Sequence, residues 1–109
     1  MTNCRIMFLR NKVGRPIGCL AILLDRQMQL IKYQLSVLNP MDIFNKEVAK
    51  NIAIGRLDKK PNFYIKLEPN TNINWTVMSH LFNNKNVPTR ARKAAKHWLN
   101  TIISFSFEN

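Results

Sequence analysis

Residues 30–38, Leu-Ile-Lys-Tyr-Gln-Leu-Ser-Val-Leu, alternate apolar Ile31, Tyr33, Leu35 and Val37 with polar Lys32, Gln34 and Ser36. A period of two sends successive side chains to opposite faces of a strand. The stretch therefore predicts a β-strand with one buried and one wet face. The period then changes. Asn39-Pro40-Met41-Asp42 reads as a helix start, with Asn39 as cap, Pro40 at the first helical position and Asp42 at the third. Phe44, Val48 and Ile52 recur every four residues, with Ala49 and Ala53 beside them. That spacing predicts an amphipathic helix facing the sheet. Lys46 and Lys50 share another stripe, their charge partly offset by Glu47. Gly55 is the expected stop.

Upstream, residues 5–10 (RIMFLR) read as a strand, and 11–16 as a turn with Asn and Gly at turn-compatible positions. Residues 17–24 (IGCLAILL) are apolar enough for a strand buried on both faces. Gly18 within it marks a bulge or a close contact. Residues 25–29 make the next turn, so three strands form an antiparallel meander. Downstream, 56–61 is a charged connection. Residues 62–68 alternate Phe63, Ile65 and Leu67 against Tyr64, Lys66 and Glu68, as an edge strand does. Pro69 to Asn72 breaks it. A helix follows over 73–83, with Trp75, Met78 and Phe82 on one face and Val77 and Leu81 adjacent. The last helix spans 88–103. The order β-β-β-α-β-α-α predicts an α+β fold, an antiparallel three- to four-stranded sheet with helices packed on one face. No internal repeat or linker divides residues 1–109, which read as one domain.

The 109 residues are 46% hydrophobic, enough for a core of their own. Seventeen Lys and Arg face six Asp and Glu, a formal charge of +11. Such an excess attracts anions: nucleic acid, an anionic membrane surface or an acidic protein face. The two cysteines, Cys4 and Cys19, make no disulfide framework. In the expected hairpin Cys19 lies opposite Phe8 or Ile6, not opposite Cys4. The N-terminal MTNCRIMFLRNK has too short an apolar run for a signal peptide, and no stretch approaches the ~20 apolar residues of a membrane span. A cytoplasmic protein is expected. Fourteen Asn against three Gly, with many Ile and Lys, suggest an AT-rich coding sequence of the kind phages and mobile elements carry.

Charge is concentrated toward the C-terminus. Between Glu68 and Glu108 there is no acidic residue, yet the interval holds Lys85, Arg90, Arg92, Lys93 and Lys96, with His97 beside them. Ala91, Ala95, Trp98 and Ile102 follow helical spacing as a buried stripe. Arg92 and Lys96, and Lys93 and His97, are then neighbours on the outward face. Like charges four apart each cost a few tenths of a kcal/mol, and cations in a first helical turn oppose the macrodipole. Uncompensated penalties of this kind are what an anion-binding helix carries. Arg10, Lys12 and Arg15 form a second basic group around the first turn. Whether it shares a face with the helix is not a sequence-level question. The element order is also shared with domains that lay a sheet into a DNA groove, for which the wet face would offer Lys32, Gln34 and Ser36. Of the aromatic residues, Tyr64 on the edge strand is open for base stacking, whereas Trp75 and Trp98 at helical spacing read as core.

Enzymatic chemistry finds little support. Cys4, Cys19, His80 and His97 hold no metal-ligand spacing, and no cofactor motif or Gly-rich phosphate loop is present. Nucleophilic catalysis would need a Cys or Ser beside a His and an acid, but only two His exist and no nucleophile elbow is visible. The expectation is a non-enzymatic basic protein engaging nucleic acid, by phosphate contacts with little base readout, through the last helix. The alternative is a phage counter-defence inhibitor (anti-CRISPR-like) that binds a host protein or a protein–nucleic-acid effector complex. A homodimer through the 63–67 edge strand is a further expectation about partners.

Overall fold

Four strands, β1 (Arg5–Arg10), β2 (Pro16–Asp25), β3 (Leu30–Val37) and β4 (Phe63–Lys66), form one antiparallel sheet in the order β1-β2-β3-β4. Three helices accompany it: α1 (Lys46–Lys59), α2 (Ile73–Phe82) and α3 (Thr89–Glu108). The architecture comes from a computed structural model that describes residues 4–59 and 62–108. Met1 to Asn3, Lys60 and Pro61 of the charged connection, and Asn109 lie outside the described residues. Among those described, no helix is long and apolar enough to cross a membrane. The α+β class and the antiparallel sheet are as the periodicity predicts. The register places Cys19 opposite Phe8, so the two cysteines do not face each other across the hairpin.

The helices, expected on one face, cover both. Leu20 and Ile22 of β2 join Leu9, Ile31, Tyr33 and Leu35 in a cluster with Val77, Met78 and Leu81 of α2 and Ala91, Ala95 and Leu99 of α3. The alternate residues Cys19 and Ala21 point the other way, to Ala53 and Leu57 of α1, with Ile6 and Phe8 packed alongside. An all-apolar β2 requires cover on each side, and α1 supplies the second layer. The first cluster holds the large side chains. Leu20, Ile22, Ile31 and Met78 are each at most 1% exposed, and burial of such a side chain stabilises by roughly 1.5–3 kcal/mol.

The second layer corrects the reading of β3. Its polar face is not wet: Gln34 and Ser36 are 7% and 5% exposed. Ser36 Oγ donates to the Ala49 carbonyl at 2.8 Å, and an Arg56 Nη donates to the Leu35 carbonyl at 2.8 Å. Lys32 is partly covered and pairs with Asp25 at 3.4 Å. This face cannot enter a nucleic-acid groove while α1 lies on it.

Helix α1 also starts later and turns differently from the expectation. Asn39 closes a turn instead, its side chain accepting from Met41 N (3.0 Å) and its carbonyl from Asp42 N (2.9 Å). The cap is Asn45, whose Oδ1 accepts from Val48 N at 3.1 Å. Gly55 does not end the helix, which runs to Lys59. The buried stripe is Ala49, Ala53 and Leu57, not Phe44, Val48 and Ile52. Both stripes have four-residue spacing. The one with alanines brings the helix backbone close to a sheet surface that is itself small at Cys19 and Ala21, and the bulky stripe would not fit there.

In α2, capped by Asn72 through Trp75 N at 3.0 Å, the buried residues are Val77, Met78 and Leu81. Trp75 and Phe82 stand about 100° around the helix from the middle of that stripe and are 46% and 39% exposed, so Trp75 is not core. In α3 the buried residues are Ala91, Ala94, Ala95 and Leu99, with Trp98 partly buried against them; Ile102, expected inside, is 41% exposed.

Candidate nucleic-acid interface

The β1–β2 turn is built by Asn11. Its Oδ1 accepts from Val13 N (3.1 Å) and Arg15 N (3.0 Å), while its backbone N donates to the Arg15 carbonyl at 2.9 Å. Gly14 takes φ +84°, a conformation other residues rarely adopt. The strand register shifts between Leu9 and Arg10. This hydrogen-bonded tip presents Lys12, which is exposed, at the end of the sheet.

Helix α3 meets the tip. Its alanine stripe seats it against α2 and β1. Arg90, half-buried, donates a guanidinium hydrogen to the Leu38 carbonyl just beyond β3. That bond ties the first turn of α3 to the sheet end where β2 begins, since Leu38 N in turn donates to the Ile17 carbonyl at 2.7 Å. Between tip and helix lies a groove of about 600 Å3, lined by Asn11, Lys12, Ile17, Arg90, Lys93, Lys96, His97 and Asn100.

One hairpin charge, Lys12, thus shares a face with the helix charges. Four formal cations, Lys12, Arg90, Lys93 and Lys96, line one groove with His97 and with no carboxylate. The side-chain ion pairs among the described residues, Lys32–Asp25 and Lys66–Glu68, are elsewhere. A cleft lined by one sign of charge focuses the field and raises the local concentration of counter-charge.

The remaining residues of the expected site are placed differently. Arg10 lines a neighbouring hollow of about 340 Å3 together with His97, and donates to the Gly14 carbonyl at 2.9 Å. Arg15 and Lys85 are exposed, in the hairpin turn and the α2–α3 loop, and line neither cavity. Arg92 does not share the outward face with Lys93. One residue advances the helix by about 100°, which turns Arg92 to the other flank. There it is half-buried, its Nη2 donating to Thr89 Oγ1 at 3.2 Å and its Nε without a partner.

Several lining residues carried no sequence signal of their own. Asn11 and Ile17 enter through the hairpin geometry. Asn100 was within reach, four residues beyond Lys96 on the same helical stripe. Among the described residues no group of three His, Cys, Asp or Glu comes together as metal ligands. No family model, curated protein or solved structure matches this chain.

Proposed function

We propose that the groove between the β1–β2 tip and α3 binds nucleic acid through its phosphates. The observation that supports this is the convergence of Lys12, Arg90, Lys93 and Lys96, from two distant parts of the chain, on one cleft without a carboxylate. Lys and Arg contacts to phosphate supply most sequence-independent affinity. Base readout is expected to be weak. Of the two asparagines in the groove, Asn11 has its side-chain oxygen engaged by Val13 N and Arg15 N, which leaves it only its amide NH2 to offer a base edge, while Asn100 is exposed on α3. The test is fluorescence anisotropy with a labelled oligonucleotide across a salt series. Four neutralised phosphates on duplex DNA give a log–log slope of about −3.6, or roughly a hundredfold loss between 50 and 200 mM salt. The double substitution Lys93→Glu with Lys96→Glu should abolish binding. No binding at ~50 mM salt overturns the proposal.

A second reading, an inhibitor that covers a host protein or a protein–nucleic-acid effector, is favoured by a different surface. Met41 and Ile43 are 90% and 94% exposed beside the half-exposed Val48 and Ile52, and together they line an apolar groove of about 590 Å3 along α1. Contiguous apolar surface of this kind marks interaction sites. A specific host partner that survives nuclease treatment and is lost on Ile43→Asp would favour this reading over the first.

A further inference from the structure

We infer that the nucleic acid taken by this surface is single-stranded, with its phosphates on the basic groove and one unstacked base in the adjoining hollow against Trp98. The inference rests on the phosphate reading above. Two cavities stand side by side and share Asn11, Ala94 and His97 as a common wall. They differ in chemistry. The groove carries Lys12, Arg90, Lys93 and Lys96. The hollow is lined by Met78, Trp98 and Ile102, together with Arg10 and Thr101.

A phosphate track beside an apolar, aromatic-lined recess is the arrangement a splayed nucleotide requires. The backbone needs cations, and the base needs a π-face or apolar surface once it leaves its stack. Trp98 is only partly buried, so one part of the indole packs on the core and the rest is available to the hollow. At about 340 Å3 the hollow is at the small end of ligand cavities. A duplex keeps its bases stacked and presents phosphates and base edges, but no free base face. The hollow therefore adds affinity for single strands and none for duplex. DNA and RNA single strands share the required chemistry.

The variant Trp75→Phe makes Trp98 the sole tryptophan. Trp75 is exposed and lines neither cavity, so the change leaves the surface intact. Intrinsic fluorescence and anisotropy are recorded with dT12, rU12 and a 12-base-pair DNA duplex at 50 mM salt. The expected result is quenching of Trp98 by one or both single strands, bound about tenfold or more tighter than the duplex, while the duplex leaves the emission unchanged. Duplex binding as tight as single-strand binding, or single-strand binding without quenching, overturns the inference and leaves the phosphate reading standing. If none of the three probes binds, the phosphate reading falls and the inference falls with it.

Discussion

The Tyr33 hydroxyl lies 2.7 Å from Nδ1 of His80, a part-buried contact that joins β3 to α2. Asn84 Nδ2 donates to the same hydroxyl at 3.0 Å. The hydroxyl accepts from Asn84, and the direction of its bond with His80 Nδ1 is set by the imidazole tautomer. Burial pushes His80 below the usual histidine value of 6.5 and Tyr33 up to about 12.

A pH dependence follows from His80. Its folded pKa is depressed, so the unfolded chain takes up the proton first as pH falls. Stability from the neutral form is intact above 6.5 and is lost progressively as the pH drops through 6.5 toward the lower folded value. The urea midpoint should be lower at pH 5.5 than at 7.5, and His80→Gln should remove that part of the difference. Tyr33→Phe should cost about 1–3 kcal/mol at pH 7.5, because it leaves Asn84 Nδ2 and His80 Nδ1 unpaired inside the protein. Equal midpoints at the two pH values in the wild type would show that the imidazole is not held neutral.

Two glycines should respond to alanine in opposite directions. A Cβ on Gly18 would stand 2.3 Å from the Ser36 carbonyl oxygen and 3.3 Å from Val37 Cα. Both are backbone atoms of β3, so the strands must separate, at a cost of about 1–3 kcal/mol or more. Gly55 lies within α1 with nothing within 4 Å of the added carbon. Gly55→Ala should stabilise by about 0.5–1 kcal/mol through helix propensity. Thermal denaturation of the two variants, side by side, checks both signs.

The strands were legible because alternation at Ile31, Tyr33 and Leu35 and the Asn11–Gly14 turn are local signals. The number of helical layers, expected as one, is misread although β2 carries the signal for two. Its Leu20 and Ile22 need cover on one side and its Cys19 and Ala21 on the other, which rules out helices on a single face. What local pattern does not decide is which of two four-residue stripes on α1 goes inward. Phe44, Val48 and Ile52 are the more hydrophobic set, yet the small Ala49 and Ala53 are the ones that fit over Cys19 and Ala21. Within the candidate site, Lys93, Lys96 and His97 follow from spacing on α3. The role of Lys12 does not, because it depends on the sheet carrying the first hairpin back to the last helix. Arg90 shows the limit of charge counting, since its guanidinium is bonded to the Leu38 carbonyl.

The two thiols should differ sharply in reactivity. Cys19 is fully buried, and burial, with Cys4 nearby, raises its pKa to about 11. At pH 8 roughly one Cys19 in a thousand is then thiolate, the reactive form. Cys4 is only partly buried. In native protein a thiol-exchange reagent should modify one cysteine per chain quickly and the second only on unfolding. Rapid loss of both thiols would mean that α1 does not stay closed over Cys19.

The three cations that α3 brings to the groove should separate into one with a structural task and two without. Arg90 is half-buried and bonded to Leu38, so Arg90→Met removes a charge-assisted hydrogen bond and should destabilise by about 1–3 kcal/mol. Lys93 and Lys96 are exposed and line the groove. Lys93→Met and Lys96→Met should leave stability within about 0.5 kcal/mol, or raise it slightly by relieving repulsion in a helix that has no acid in its first turn. Each should still flatten the salt dependence of duplex DNA binding by about 0.9 in log–log slope. Measuring melting temperature and salt slope on the same three variants distinguishes the roles. If Lys93→Met and Lys96→Met change neither quantity, the exposed charge of α3 is a solvated surface and the phosphate contacts must be sought elsewhere.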